Sequence, residues 1–397
     1  MREDLKTRLL EGEDLFLKGA YPQALQTFEA VLEEDPSNPY ALNDAGLAYA
    51  ELGQLDRAVE CFERALQADP GHENAFLNLL NLLIEHEIWD LAYEAYAVYG
   101  AHVDQNKIIE YKLMFENKKV QVDDNQSVII ILGMHRSGTS TISRIANLLG
   151  VYMGEEEDFL EIKLDNPKGY WENEFIVSIN DEILRRLGSQ NSNTWIEIPI
   201  FFDGWEDSVI FNDLKYKAIA YLNKKMRGKE IWGWKDPRTC LTLPFWKNIL
   251  PNKNLKFIIC LRNPLSVSNS LKKRNNSSLE KGLVLWFRHN MLILKHTKSF
   301  PKIIIQYENV VDVQKRENVI EKIAKFIGVD KLENVKYEIE NFIDENLCHN
   351  KVDLKDLNLA QINPLIKMLY FGMCMCEESG KYDNLDMLYD IMHKLTY

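Results

Sequence analysis

Apolar and polar positions change rhythm twice along the chain. Over residues 1–103 apolar side chains recur every three or four positions in short segments, the period of amphipathic helices, and the segments are broken at Gly19, Asp35-Pro36, Gly53 and Asp69-Pro70. At Ser127-Val-Ile-Ile-Ile-Leu132 this gives way to a continuous, largely β-branched run, which suits a strand buried on both faces of a parallel sheet. Comparable runs are Asn254–Leu261, the short aromatic stretch Trp232-Gly-Trp-Lys235, and Ile303-Ile-Ile-Gln-Tyr-Glu308, read as a strand ending in Tyr-Glu. Helical spacing returns beyond residue 351 as two apolar segments broken around Gly380, a terminal hairpin expected to pack on the repeats. The pattern predicts an all-α region at 1–103, a linker at 104–126, an α/β domain at 127–345 and a C-terminal helical segment at 346–397. The sheet is expected to be mainly parallel, of about four or five strands, with helices on both faces.

The helical region has an internal period of 34 residues: Gly12 recurs as Gly46, Gly19 as Gly53, Ala24 as Ala58, Phe28 as Phe62, and Asp35-Pro36 as Asp69-Pro70. A third, degenerate copy keeps Ala92 and Tyr96 in phase but places Glu87 where the glycines stood. Each unit reads as two helices with small residues at their close crossing and a proline after the second. Residues 5–103 resemble tetratricopeptide repeats, which implies a short superhelical stack whose concave face holds a peptide or protein partner. The alternative is that the repeats only cap the domain that follows. The third copy is unusually apolar and is expected to pack against that domain.

Charge changes the picture once it is split along the chain. The net charge is −13, yet residues 1–100 hold 6 basic against 20 acidic residues, leaving 41 against 40 in the remainder. The α/β region is therefore balanced and able to carry a positive anion pocket, while non-specific nucleic-acid binding is disfavoured. The N-terminus is charged from Arg2 and lacks an apolar signal core, and no apolar run reaches the roughly 18 residues of a spanning helix. Cys61, Cys240, Cys260, Cys348, Cys374 and Cys376 are scattered without metal-ligand spacing, the usage of buried thiols in a reducing, cytoplasmic compartment.

The candidate chemistry begins at Gly133-Met-His-Arg-Ser-Gly-Thr-Ser140, between the first strand and a helix. Strand, glycine loop and helix together form a phosphate cradle, in which loop amides and a helix N-terminus face an oxyanion. Thr139 stands where a nucleotide-hydrolysing loop carries lysine, so Arg136 is the strong cation within the loop. A kinase also needs a carboxylate at a neighbouring strand end to hold magnesium, but the strand at 254–261 runs into Arg262-Asn-Pro264. Loop and arginine together point to a nucleotide with phosphates at two places and no metal.

These residues resemble the sulfotransferases that use 3′-phosphoadenosine-5′-phosphosulfate. Arg136, Ser137, Gly138, Thr139 and Ser140 look like that family's 5′-phosphosulfate loop. Arg262 and Ser270, eight residues on, match its 3′-phosphate motif, with Arg274 one further turn along as in the tyrosylprotein branch. Tyr307 resembles the tyrosine that reaches the bound nucleotide. The glycine-rich C-terminal nucleotide motif of the small-molecule enzymes is missing, which points to a glycan, peptide or lipid-linked acceptor. Asp165-Asn-Pro-Lys-Gly-Tyr-Trp-Glu-Asn173 looks like a motif of bacterial members, some of which carry tetratricopeptide repeats.

Transfer to a hydroxyl or amine requires a base and cations on the leaving oxygen. The resemblance assigns Lys235, in Trp234-Lys-Asp-Pro-Arg238, and Arg136 to that oxygen. Glu172, flanked by Tyr170 and Trp171 in an aromatic setting of the kind that can raise a carboxyl pKa and line an acceptor cleft, is the first choice of base. Glu155, Glu156 and Glu157 are the rivals, and His135 is a weaker one. The sequence leaves a nucleotide or sugar kinase, or a non-catalytic repeat scaffold, as alternatives.

Overall fold

The computed structural model describes residues 3–116, 120, 122–123, 125–161, 169–190, 194–329, 333–343, 356–357 and 360–396. Residues 165–168 of the motif quoted above, and Cys348, lie outside them. The chain forms two compact units, Met1–Val120 with Val209–Lys224, and Gln121–Ser208 with Lys225–Tyr397.

In the first unit, α1 (Glu3–Leu17) pairs with α2 (Tyr21–Glu34), α3 (Pro39–Glu51) with α4 (Leu55–Ala68), and α5 (Glu73–Glu85) with α6 (Trp89–Tyr99). The 34-residue period has a packing cause. A Cβ on Gly12 would lie 2.4 Å from the Phe28 ring, and one on Gly46 2.7 Å from Phe62, so each pair crosses too closely for any other residue. The turn between paired helices needs a left-handed residue. Gly19 and Gly53 supply it at φ 75° and 70°, and Glu87 adopts φ 57° at the equivalent place despite its Cβ penalty. The apolar third copy is covered within its own unit: Tyr93 and Tyr96 pack on Phe115 of α7 (Ile109–Glu116) at 4.9 Å, and Tyr96 meets Tyr216 of α10 (Asn212–Met226) edge-on at 5.0 Å.

The second unit is built on four parallel strands, β1 (Ser127–Leu132), β2 (Ile231–Lys235), β3 (Leu255–Leu261) and β4 (Lys302–Gln306), in the order β2-β1-β3-β4. Central β1 is buried from Val128 to Leu132, which explains its unbroken apolar run. On one face Ile129, Ile131, Ile258, Cys260, Ile303 and Ile305 pack with α8 (Thr139–Leu148) and α15 (Val313–Ile327). Alternate positions face the other way, where Trp234 of β2 meets Trp246 of α11 (Thr239–Ile249) at 4.9 Å. The remaining helices of this unit are α9 (Glu174–Arg186), α12 (Pro264–Asn275), α13 (Leu279–His296), α14 (Tyr307–Val311), α16 (Glu333–Phe342), α17 (Pro364–Ser379) and α18 (Asn384–Thr396).

Two expectations are corrected. β4 ends at Gln306, and Tyr307 opens α14 instead of closing the strand. The α17–α18 hairpin belongs to the second unit and covers its edge strand: Lys302 Nζ donates to Asp386 Oδ1 at 2.9 Å, and Gln306 Nε2 to Glu377 Oε2 at 2.8 Å. A charged hairpin laid on β4 protects an edge that would otherwise be open to pairing.

Candidate active site

The strand order fixes where a ligand can bind. The chain leaves β1 toward β2 on one side and leaves β3 toward β4 on the other, so β1 and β3 flank the crevice at which the connections diverge. The loop 133–138 follows β1 and Arg262 follows β3, so both quoted motifs come to this crevice from the strands' carboxyl ends.

The loop is shaped to present its amides. Gly138 has φ 87° and caps α8, and Arg136 is itself held at φ 71°. A Cβ on Gly138 would lie 2.0 Å from Cδ2 of Tyr307, so the ring rests directly on the loop backbone. Arg262 is buried, places its guanidinium 4.9 Å from the Tyr307 ring centroid, and donates from Nη1 to the Arg136 carbonyl at 2.9 Å. Arg136 Nε donates to Ser270 Oγ on α12 at 2.8 Å. Arg136, Ser270, Arg262 and Tyr307 thus form one cluster joining the two motifs. Arg136 was assigned to the leaving oxygen by resemblance; here its guanidinium reaches the serine of the second motif. The turn carrying Arg262 is braced from behind, with Glu308 Oε1 accepting from Asn263 N at 3.0 Å and Trp286 Nε1 donating to the Arg262 carbonyl at 3.0 Å. Burial pushes the Glu308 carboxyl above its usual range.

A second cluster surrounds Lys235, the last residue of β2. Its side chain is 1% exposed, and Nζ lies 2.7 Å from Glu172 Oε1 and 3.4 Å from Ser140 Oγ. Ser140 in turn donates to the Tyr170 carbonyl at 3.1 Å, tying the loop to the segment that carries Glu172. Arg274 lies 5.9 Å from the centroid of the Tyr170 ring. Glu172 is buried and faces two cations, Lys235 and Arg238. The neighbouring Trp171 ring is engaged elsewhere, under Arg144 at 4.5 Å and against Phe159 at 5.4 Å. Glu155, Glu156 and Glu157 occupy an exposed turn in which Asp158 accepts from Glu155 N at 2.9 Å. His135 is buried and stacked on Trp195 at 4.0 Å, and its Nε2 has no hydrogen-bond partner among the described residues. Burial first, then the charges of Arg238, His289, Arg274 and Lys235, holds it well below the usual histidine pKa.

Residue-type reasoning missed several members of this second cluster. Arg238 meets Glu172, Asp181 and Asp236 together. Asn180 on α9 donates to Asp236 Oδ2 at 2.8 Å and accepts from Thr242 and Trp246, linking the helix to the Lys235–Arg238 turn. Arg238 was visible in the quoted element three residues after Lys235. Asn180 and Asp181 carry no local signal at all, since each is about sixty residues away in sequence.

Residues 128–333 match the model described as the sulfotransferase family, and residues 9–99 match that of the tetratricopeptide repeat. The chain belongs to the sulfotransferase family. Its curated relatives are similar to it over short stretches: a tetratricopeptide repeat and J domain-containing co-chaperone of Fusarium oxysporum f. sp. lycopersici is 31% identical over 102 residues, 26% of this chain and 20% of that protein. Tetratricopeptide repeat protein 14 of Mus musculus is 39% identical over 74 residues, 19% of this chain and 10% of that protein. The chain thus spans a fifth or less of the length of these relatives. Among solved structures, the sulfotransferase domain of the Synechococcus PCC 7002 olefin synthase is 19% identical with a TM-score of 0.35, covering 67% of this chain and 99% of that one. A sulfotransferase from Mycobacterium tuberculosis H37Rv is 10% identical with a TM-score of 0.36, covering 79% and 90%. This sulfotransferase-family chain contains no helix among its described residues long and apolar enough to cross a membrane.

Proposed function

We propose that the protein moves the sulfuryl group of 3′-phosphoadenosine-5′-phosphosulfate to a hydroxyl or amine of a glycan, peptide or lipid-linked acceptor. The observation that carries this reading is the pair of anion anchors on the two strands flanking the crevice, with a buried lysine–carboxylate pair beside one of them. The residues fit the donor. The loop 136–140 and the α8 N-terminus supply N–H groups and a positive dipole for its 5′ end, Arg262, Ser270 and Arg274 supply donors for a 3′-phosphate, and Tyr307 supplies a ring beside both.

In this reading Glu172 takes the acceptor proton as the acceptor oxygen bonds to sulfur. Lys235 and Arg136 neutralise the oxygen released when the bond between sulfur and the 5′-phosphate breaks. The contacts of Lys235 with Glu172 and with Ser140 support both duties. The kinase reading asks for a metal-holding carboxylate at a strand end. Asp236, which follows β2, is fully buried and committed to Arg238 and Asn180, and the residue after β3 is the cation Arg262. The buried free thiols Cys61, Cys240, Cys260, Cys374 and Cys376 favour a reducing compartment such as the cytoplasm.

Calorimetric titration with 3′-phosphoadenosine-5′-phosphate, beside ATP plus magnesium, tests the donor. Metal-independent binding of the bisphosphate is expected, weakened by about 10–100-fold in Arg262→Ala as charge-assisted hydrogen bonds are lost. Preference for ATP plus magnesium overturns the proposal. In a sulfate-transfer assay Glu172→Gln is expected to keep bisphosphate binding and lose roughly 10²–10⁴ in turnover. Full activity in that variant moves the base to the turn at Glu155–Glu157.

A further inference from the structure

β3 and β4 pair in register as far as Leu261 and Gln306. Two residues further along each chain stand Asn263 and Glu308, in the same register but past the end of the ladder. By then the chain from β4 has turned into α14, and the Glu308 carbonyl accepts from Asp312 N at 3.2 Å instead of from a neighbouring strand. Asn263 is 1% exposed, so its N–H needs an acceptor within the protein. The Glu308 side chain takes the place of a strand carbonyl, Oε1 accepting at 3.0 Å. The other polar groups of this turn are held too. Asn263 Oδ1 accepts from Leu265 N at 3.0 Å and caps α12, Pro264 has no N–H to place, and the Arg262 carbonyl accepts from Trp286 Nε1 at 3.0 Å. Trp286 in turn meets the Tyr370 ring of α17 edge-on at 6.1 Å.

We propose that Glu308 is the positioning residue of the 3′-phosphate anchor: by taking the Asn263 N–H it fixes the turn from which Arg262 reaches into the crevice, and so sets the preference for a donor carrying a 3′-phosphate over one without it. This rests on the reading that Arg262 holds that phosphate. A guanidinium binds an anion best with its N–H fork aligned, and any error in the backbone turn is carried to the far end of so long a side chain. A buried N–H without an acceptor is costly, so losing the Glu308 oxygen moves the turn. A carboxyl oxygen accepts in either protonation state, which makes the brace independent of the charge on Glu308. Tyr307, next to Glu308, places its ring 4.9 Å from the Arg262 guanidinium, so one helix start supports the anchor at two points.

Calorimetric titration of the full chain with 3′-phosphoadenosine-5′-phosphate and with adenosine 5′-monophosphate, which lacks the 3′-phosphate, reads this preference as a ratio of two affinities. Glu308→Gln keeps an acceptor oxygen at the same reach and removes a negative charge that acts on Arg262, so the ratio is expected to hold or rise. Glu308→Met is neutral and of similar length but offers no oxygen, and its ratio is expected to fall about tenfold below that of Glu308→Gln. Since both variants lack the charge, the difference between them reads the hydrogen bond alone. If Glu308→Met does not fold, Glu308→Asp, which keeps the charge and draws the carboxylate back by one methylene, carries the test: a ratio below the parent's is expected, and a parent-like ratio overturns the proposal. Equal ratios in Glu308→Gln and Glu308→Met also overturn it, as does a loss in Glu308→Met that is the same for both ligands, the mark of a merely structural role. A parent chain that binds the monophosphate as tightly as the bisphosphate defeats instead the assignment of Arg262 to a 3′-phosphate, a separate failure seen before any variant is made.

Discussion

At the scale of single residues, the site depends on backbone that only one side chain permits. Gly138 sits at φ 87° with the Tyr307 ring where a Cβ would be, at 2.0 Å, so two costs meet there. A left-handed conformation costs an L-residue about 1–2 kcal/mol, and the added methyl must also displace Tyr307, which lies on Arg262. Gly138→Ala is therefore expected to weaken bisphosphate binding by at least about tenfold, read by calorimetry, because loop and ring shift together. Unchanged affinity would show that the loop amides do not hold the donor. The same residue-scale view explains His135. A buried imidazole stacked on Trp195 among cations resists protonation, so it stays neutral at physiological pH and adds no positive charge to the crevice.

At the scale of elements, what the sequence disclosed follows from which physical signals are local. β1, β2 and β3 were legible because burial on both faces leaves only apolar or aromatic residues to choose from, and the loop after β1 because glycines mark its tight turn. The 34-residue period was legible because Gly12 and Phe28, then Gly46 and Phe62, solve one packing problem twice. Pairings between distant elements were not. Glu172 and Lys235 are 63 residues apart, and each could be singled out by motif, yet nothing in either segment states that they touch. α10 shows the same limit: only packing reveals that Tyr216 lies against Tyr96 and Phe115. The sequence carries β4 two residues too far, through Tyr307 and Glu308, since Tyr307 suits a strand by propensity while the tertiary structure makes it a helix start.

At the scale of the whole molecule, the division of charge extends to how the two units answer acid. In the repeat unit, which includes most of the acidic excess, burial first and Glu13 next push Asp44 up to about 6, against the bond from Asn43. A carboxyl with a raised folded pKa binds more protons folded than unfolded, so stability rises as pH falls from about 6 toward 4, and relief of mutual repulsion acts in the same direction. In the α/β unit burial pushes His289 down to about 4 and His296 down to about 3, and holds His135 low as well. A histidine with a lowered folded pKa contributes stability that is fully present above about 6.5 and is lost as pH falls toward the folded value. For His289 alone the loss is on the order of 3 kcal/mol by about pH 4. Scanning calorimetry of the full chain at about pH 7.5 and about pH 5 is expected to show the α/β transition moving down and the repeat transition holding or rising. Addition of the bisphosphate at either pH identifies the α/β transition, since ligand binding raises only the unit that holds it. His289→Asn is expected to reduce the acid sensitivity of that transition. Both transitions falling in parallel on acidification, with His289→Asn behaving as the parent, would refute the assignment of acid lability to these buried imidazoles.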